Sequence, residues 1–120
     1  MCSISVFSFQ PTVTVTKGND AILEWDVSGH LTNLEYQIYS NDTKIISGNS
    51  KNVIHFKSAN EKYGLRINVK RIGIIIRLTL KEVLHSDEAI FTLTVEIGIL
   101  GKKTLDDITL DVTGLFCLFL

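Results

Sequence analysis

Apolar and polar residues alternate with a period of two along most of this chain, and clusters of turn-forming residues interrupt the alternation. Val13 and Val15 sit between Thr12, Thr14 and Thr16, ahead of a Lys17-Gly18-Asn19-Asp20 turn. Ala21, Leu23, Trp25 and Val27 then share one face with Glu24 and Asp26 on the other, until Ser28-Gly29-His30 breaks the run. Leu34, Tyr36 and Ile38 alternate with Glu35, Gln37 and Tyr39, and Ser40-Asn41-Asp42-Thr43 turns the chain. Short strands are expected at Lys44–Ser47 and Asn52–Phe56, and a further one where Leu65, Ile67 and Val69 alternate with Arg66 and Asn68. Ile74, Ile76, Leu78 and Leu80 form one face of a longer strand closed by Val83. Ala89, Phe91, Leu93 and Val95 form the inner face of the next, with Thr92, Thr94 and Glu96 outside. A loop over residues 98–103 leads to Ile108, Leu110 and Val112 in the last strand. A period of two is what a strand with one buried face produces.

About nine short strands separated by regular turn signals predict an all-β, two-sheet sandwich. No helix longer than a turn is expected, although Lys81–Ser86 has room for one turn. The lone proline, Pro11, leaves the later strands free to form unbroken ladders. With 120 residues, 45% of them hydrophobic, the chain suffices for one cored domain and not for two. We read residues 1–113 as that domain, with Met1–Phe9 as a first strand, not a signal peptide, because no basic n-region precedes it. Residues 114–120 form an apolar tail, too short for the roughly twenty residues that span a bilayer. A tail packed locally and the start of a truncated anchor both fit it.

Charge and candidate chemistry narrow the function. A net charge of -1 gives nucleic acid no electrostatic footprint, and Lys70, Arg71 and Arg77 read as a solvated face. The two cysteines, Cys2 and Cys117, lie at opposite extremities with no CxxC or Cys/His cluster. His30, His55 and His85 are not spaced as ligands, and Asp106, Asp107 and Asp111 lack the glycine-bearing loop of a calcium site. No nucleophile elbow or phosphate loop is present. The expectation is a non-enzyme with no catalytic residues, no metal and no cofactor.

The stretch from Leu78 to Leu93 resembles the E–F region of the immunoglobulin superfamily, where Leu-x-Ile-x-x-Val and a turn precede Asp-x-Ala-x-Tyr-x-Cys. Asp87, Ala89 and Phe91 fall on that motif, and Leu93 stands at the second cysteine. Ala21-Ile22-Leu23-Glu24-Trp25 is similar to strand B, with Trp25 at the first cysteine, and Ile38-Tyr39 falls where strand C carries Trp-Tyr. The resemblance spans about Pro11 to Val112. It implies an immunoglobulin-like Greek-key sandwich lacking the inter-sheet disulfide, its core filled by Trp25, Ile38 and Leu93 instead. It implies an ion pair between Arg66, opening strand D, and Asp87, and the two extra strands between C and D imply the variable-type layout. Fibronectin type III domains also carry a strand-B Trp without a disulfide. The Asp-x-Ala-x-aromatic motif and the long C-to-E segment favour the immunoglobulin resemblance.

That resemblance implies an extracellular or cell-surface recognition or adhesion module, with another immunoglobulin-like domain or a second copy as partner. Membrane attachment would come only through an anchor missing from the C-terminal end. The alternative is a structural spacer in a multidomain protein. The recognition face would be the sheet of strands G, F, C and C′, with partner-binding residues Glu35, Gln37, Tyr39, Lys44, Thr94, Glu96 and Ile99. The opposite sheet would present Glu24, Asp26, Arg66, Asn68 and Arg77, a more charged surface. Asn41-Asp42-Thr43 is the one glycosylation sequon, with Asn41 as acceptor on a turn. Cys2 and Cys117 would lie at opposite ends of the sandwich, several strand residues of about 3.3 Å apart, beyond the ~7 Å reach of a disulfide.

Overall fold

The computed structural model describes residues 11–114. In chain order the strands are β1 (Thr12–Thr16), β2 (Ala21–Asp26), β3 (Glu35–Ser40), β4 (Thr43–Asn49), β5 (Val53–His55), β6 (Ile67–Ile72), β7 (Ile75–Leu80), β8 (Ala89–Glu96) and β9 (Lys102–Thr113). They form a six-stranded sheet ordered β1-β9-β8-β3-β4-β5 and a three-stranded sheet ordered β2-β7-β6. Neighbours are antiparallel except β1, which runs parallel to β9. The two-sheet sandwich expected from the alternation is the architecture found. The expectations for Met1–Phe9, for the tail from Leu115 onward, and for Cys2 and Cys117 lie outside the described residues.

The alternation dictates which side chains meet between the sheets. β2 buries Ala21, Leu23 and Trp25, and β7 buries Ile76, Leu78 and Leu80. Facing them are Tyr36 and Ile38 of β3 and Ala89, Phe91, Leu93 and Val95 of β8. Ile38 and Leu93 are direct cross-strand partners, and Trp25 is only 2% exposed. The Trp25 indole Nε1–H donates 2.7 Å to the backbone carbonyl of Asp106 in β9. That carbonyl is available because the β8–β9 register slips: Thr92 opposes Asp107 but Thr94 opposes Thr104, so Leu105 and Asp106 together face Leu93. Such a bulge takes one residue out of the ladder and frees its backbone groups. Tyr36 depends on another backbone feature. Its hydroxyl end lies so close to Gly48, its partner on β4, that a Cβ there would collide with the phenol Cζ and oxygen.

The segment between β5 and β6 departs from expectation. Lys57–Lys62 forms a short helix, α1, where only extended chain and turns were expected. It buries a single residue, Ala59, so its sequence carries no helical stripe to read. Gly64, with φ 58, then leads into a 3₁₀ turn over Gly64–Arg66. Leu65 therefore stands fully exposed on that turn and not on an inward strand face, and Arg66 precedes β6 instead of opening it. Ile74 is likewise exposed, 46%, because it sits in the β6–β7 turn and not on the inner face of β7. The turn expected within Lys81–Ser86 falls slightly later, at His85–Asp87.

Arg66 and Asp87 close the sandwich at the end opposite the β2–β3 loop. The guanidinium reaches both carboxylate oxygens, Nη1 to Oδ2 at 2.8 Å and Nη2 to Oδ1 at 3.1 Å. Asp87 is completely buried and its Oδ2 also accepts the Leu84 N–H at 2.8 Å. Tyr63, buried beside them, stacks obliquely on Phe91 and shares a 3.0 Å hydrogen bond between its hydroxyl and Ser40 Oγ.

Candidate functional site

Successive residues of a strand point to opposite faces, so the registers fix the outward surface of the larger sheet. Nearest the β2–β3 loop, Glu35 of β3 is one step beyond the Tyr36–Val95 pair and faces Glu96 of β8, which itself pairs with Lys102 of β9. In the middle row Thr104, Thr94, Gln37, Ser47 and Ile54 run across β9, β8, β3, β4 and β5. In the third row Asp107, Thr92, Tyr39 and Lys44 run across β9 to β4.

The rows differ in chemistry. The middle row is neutral and tightly bonded: Thr94 Oγ1 donates to Gln37 Oε1 at 2.9 Å, and each residue is 8% exposed. Gln37 and Thr94 thus stand on the expected face, but as a sealed polar centre and not as free contact groups. Gln37 Nε2 lies 3.5 Å from Glu96 Oε1, a long contact. The first row brings the carboxylates of Glu35 and Glu96 onto adjacent strands, an arrangement of like charges that weakens strand pairing. Among the described residues neither has an ion-pair partner within 4.0 Å. At the other end, the Lys44 ammonium sits 5.9 Å from the ring centroids of both Tyr39 and Phe56. An ammonium near two ring faces is attracted by the negative faces of both π systems.

A cleft of about 610 Å³ opens at the Glu35 end, between the β2–β3 loop (Ser28 to Asn33) and Glu96, Ile97 and Gly98. Its loop wall is anchored by Asp26, whose Oδ1 accepts the Ser28 N–H at 2.8 Å. That backbone hydrogen bond, with the Ser28 side chain, holds the Asp26 carboxyl below its ordinary range. A smaller hollow lies beside it over Gln37, Ser47 and Ile54.

Of the residues expected at a binding site, Glu35, Gln37, Tyr39, Lys44, Thr94 and Glu96 are therefore contiguous. Ile99 is fully exposed on the loop between β8 and β9, the F–G loop on which it was expected. Sequence reasoning missed Phe56, because it follows the three-residue β5 and has no alternation of its own. It also missed the cleft, because loop proximity leaves no periodic signal. Asn41 and Asp42 form the two-residue β3–β4 turn with φ of 46° and 70°, the left-handed pair that such hairpins require. The Asn41 side-chain oxygen accepts the Ile90 N–H at 2.9 Å, which fixes the exposed carboxamide.

The outward face of the smaller sheet is different. Glu24 and Arg77 pair there at 2.7 Å beside Lys70, and Arg66 is not on that face but at the end of the sandwich, bonded to Asp87. Among the described residues no group of three His, Cys, Asp or Glu is placed to hold a metal, and no helix is long and apolar enough to cross a membrane.

No family model matches the chain, and no curated protein matches it. Among solved structures it is similar to a chimeric titin Z1Z2 functionalized with a KLER exogenous peptide from decorin. The match has a TM-score of 0.62 at 19% identity and covers 88% of this chain and 91% of that one. At this identity the likeness is one of fold: the chain is an immunoglobulin-like β-sandwich.

Proposed function

We propose that this chain is a non-catalytic recognition module that binds another protein through the outward face of its six-stranded sheet. The observation that carries the reading is the contrast within that face. A sealed neutral centre at Gln37 and Thr94 is flanked by an aromatic–cation cluster at Tyr39, Lys44 and Phe56 and by the adjacent carboxylates of Glu35 and Glu96. Aromatic groups beside a desolvated centre, with charges at the rim, are the composition that protein interfaces favour. The pairing of β4 and β5 onto β3 supports the variable-type form of the fold. Trp25 and Leu93, at the positions of the family's cysteines, support a domain without the inter-sheet disulfide. The sequon at Asn41, on an exposed turn, supports an extracellular or cell-surface home.

The test is binding of a multivalent array of the chain to cell surfaces. Tyr39→Ala weakens it by more than ~1 kcal/mol per site, the usual threshold for an interface anchor, with the fold intact. Binding that survives Tyr39→Ala but vanishes when residues 115–120 are deleted overturns the reading. A second reading, a structural spacer in a larger protein, draws on the likeness to titin Z1Z2. A strict monomer with no surface binding favours it.

A further inference from the structure

The charges on the outward face of the larger sheet are not scattered; their signs reverse across its middle row. Acidic Glu35 and Glu96 lie on one side of the Gln37–Thr94 row, and Lys44 lies on the other. On β9 the order is inverted, with Lys102 on the first side and Asp107 on the second. From this pattern we infer that the partner for this face is a second copy of the chain, packed face to face in antiparallel orientation. The inference rests on the recognition reading above and names its partner.

The geometry follows from symmetry. A two-fold axis in the interface plane, perpendicular to the strands and passing over the middle row, sets each strand over its own counterpart and exchanges the two ends. Two-fold interfaces of this kind use one patch twice. Glu35 then faces the partner's Tyr39, over whose ring the partner's Lys44 ammonium is already held at 5.9 Å. Lys102 faces the partner's Asp107. Glu35 and Tyr39 are four residues apart on β3, about 13 Å at the usual rise of a strand, so opposite charges meet at both ends of a compact patch. The neutral Gln37–Thr94 row meets itself. A two-fold axis parallel to the strands and running between β3 and β8 would instead put Glu35 against the partner's Glu96. Juxtaposed like charges suppress an orientation, so the pattern selects the antiparallel pairing.

Sedimentation equilibrium on the full chain tests this through charge reversal at two exposed positions. The wild type self-associates, and association weakens with added salt. Lys44→Glu and Glu35→Lys each weaken it at least tenfold, while Trp25 emission stays at its native position. An equimolar mixture of the two variants regains association, because every Glu35–Lys44 contact between unlike variants again joins opposite charges. The double variant regains it for the same reason. A wild type that stays monomeric at every concentration overturns the pairing, as do single variants that associate like the wild type or a mixture that remains monomeric. Association through residues 115–120 would ignore both substitutions. A monomeric chain that still shows Tyr39-dependent cell binding sinks this inference and leaves the recognition reading standing.

Discussion

Two ties join the sheets of this sandwich, and they are built from opposite chemistry. In the middle, Trp25 reaches from the smaller sheet to the Asp106 carbonyl of the larger one. At one end, Arg66, just before β6, reaches Asp87, just before β8. The first is an apolar surface that ends in one hydrogen bond. The second is a charge pair in which the anion is sealed and the cation is 23% exposed. The indole gains chiefly by leaving water, whereas the carboxylate loses by leaving water and must be compensated by its partners. Both ties hold the same sheets together, yet they should fail under different conditions.

The largest effect is expected at the indole. Trp25→Ala removes the biggest side chain of the core and leaves a cavity between the sheets, which costs about 3–5 kcal/mol. In a domain of ordinary stability this consumes much of the total. Urea denaturation should show a midpoint near zero, and a loss below ~2 kcal/mol would mean that Trp25 is not the central tie.

The ionic tie ranks second. Breaking a buried pair by removing one partner costs 3–5 kcal/mol in general. Arg66 reaches water here, so solvent screening lowers the figure, and Asp87→Ala should cost roughly 2–3 kcal/mol. Its dependence on pH separates it from the first tie. Burial pushes the Asp87 carboxyl up, but the Arg66 hydrogen bond, the Leu84 N–H and the charges of Arg66 and Lys62 together bring it below its ordinary 3.8. A carboxyl depressed in the folded state contributes stability above its unfolded pKa and loses it as pH falls through the folded one. The deficit of Asp87→Asn relative to wild type should therefore be full at neutral pH and shrink below about pH 3.8. Urea midpoints across that window check this. The deficit of Trp25→Phe, which removes no titrating group, should not narrow over the same range.

A finer cut divides the indole itself. Trp25→Phe keeps most of the ring and deletes only the donor to Asp106. The hydrogen-bond share should then be about 1 kcal/mol, to which the smaller ring adds a modest packing loss. A deficit as large as that of Trp25→Ala would shift the weight of this tie from packing to the hydrogen bond.

How much of this was readable in the sequence depended on whether a residue's role leaves a periodic trace. Ala21, Leu23 and Trp25, or Phe91, Leu93 and Val95, announce themselves because burial on one face forces alternation. The Arg66–Asp87 pair came only through resemblance, since nothing in the spacing of two residues 21 apart specifies a contact. α1 left no trace because six residues that bury one alanine need no apolar stripe. Leu65 misled because its alternation with Ile67 and Val69 runs unbroken through Arg66, and only the conformation of Gly64 ends the strand phase there. The outward face was legible as a set of positions. The Thr94–Gln37 bond that seals its centre was not, because it joins residues 57 apart through side-chain torsions that no pattern encodes.

The smallest expected effect concerns a pair that looks strongest by distance. Arg77 Nε lies 2.7 Å from Glu24 Oε2, shorter than the 2.8 Å of the Arg66–Asp87 contact. Yet both side chains are about two-fifths exposed, 40% and 42%, and both belong to the same sheet, so the pair ties nothing across the core. Exposed pairs gain little because water screens the attraction and both long side chains must be ordered to keep one geometry. Glu24→Gln should therefore change stability by less than ~0.5 kcal/mol, and high salt should leave that difference near zero. Thermal denaturation of the variant beside Asp87→Asn, under one set of conditions, checks the claim directly. Similar losses in the two variants would mean that contact distance outweighs burial and location in this sandwich. A near-silent Glu24→Gln would place the value of Asp87 in its sealed position between the sheets and not in the ion pair as such.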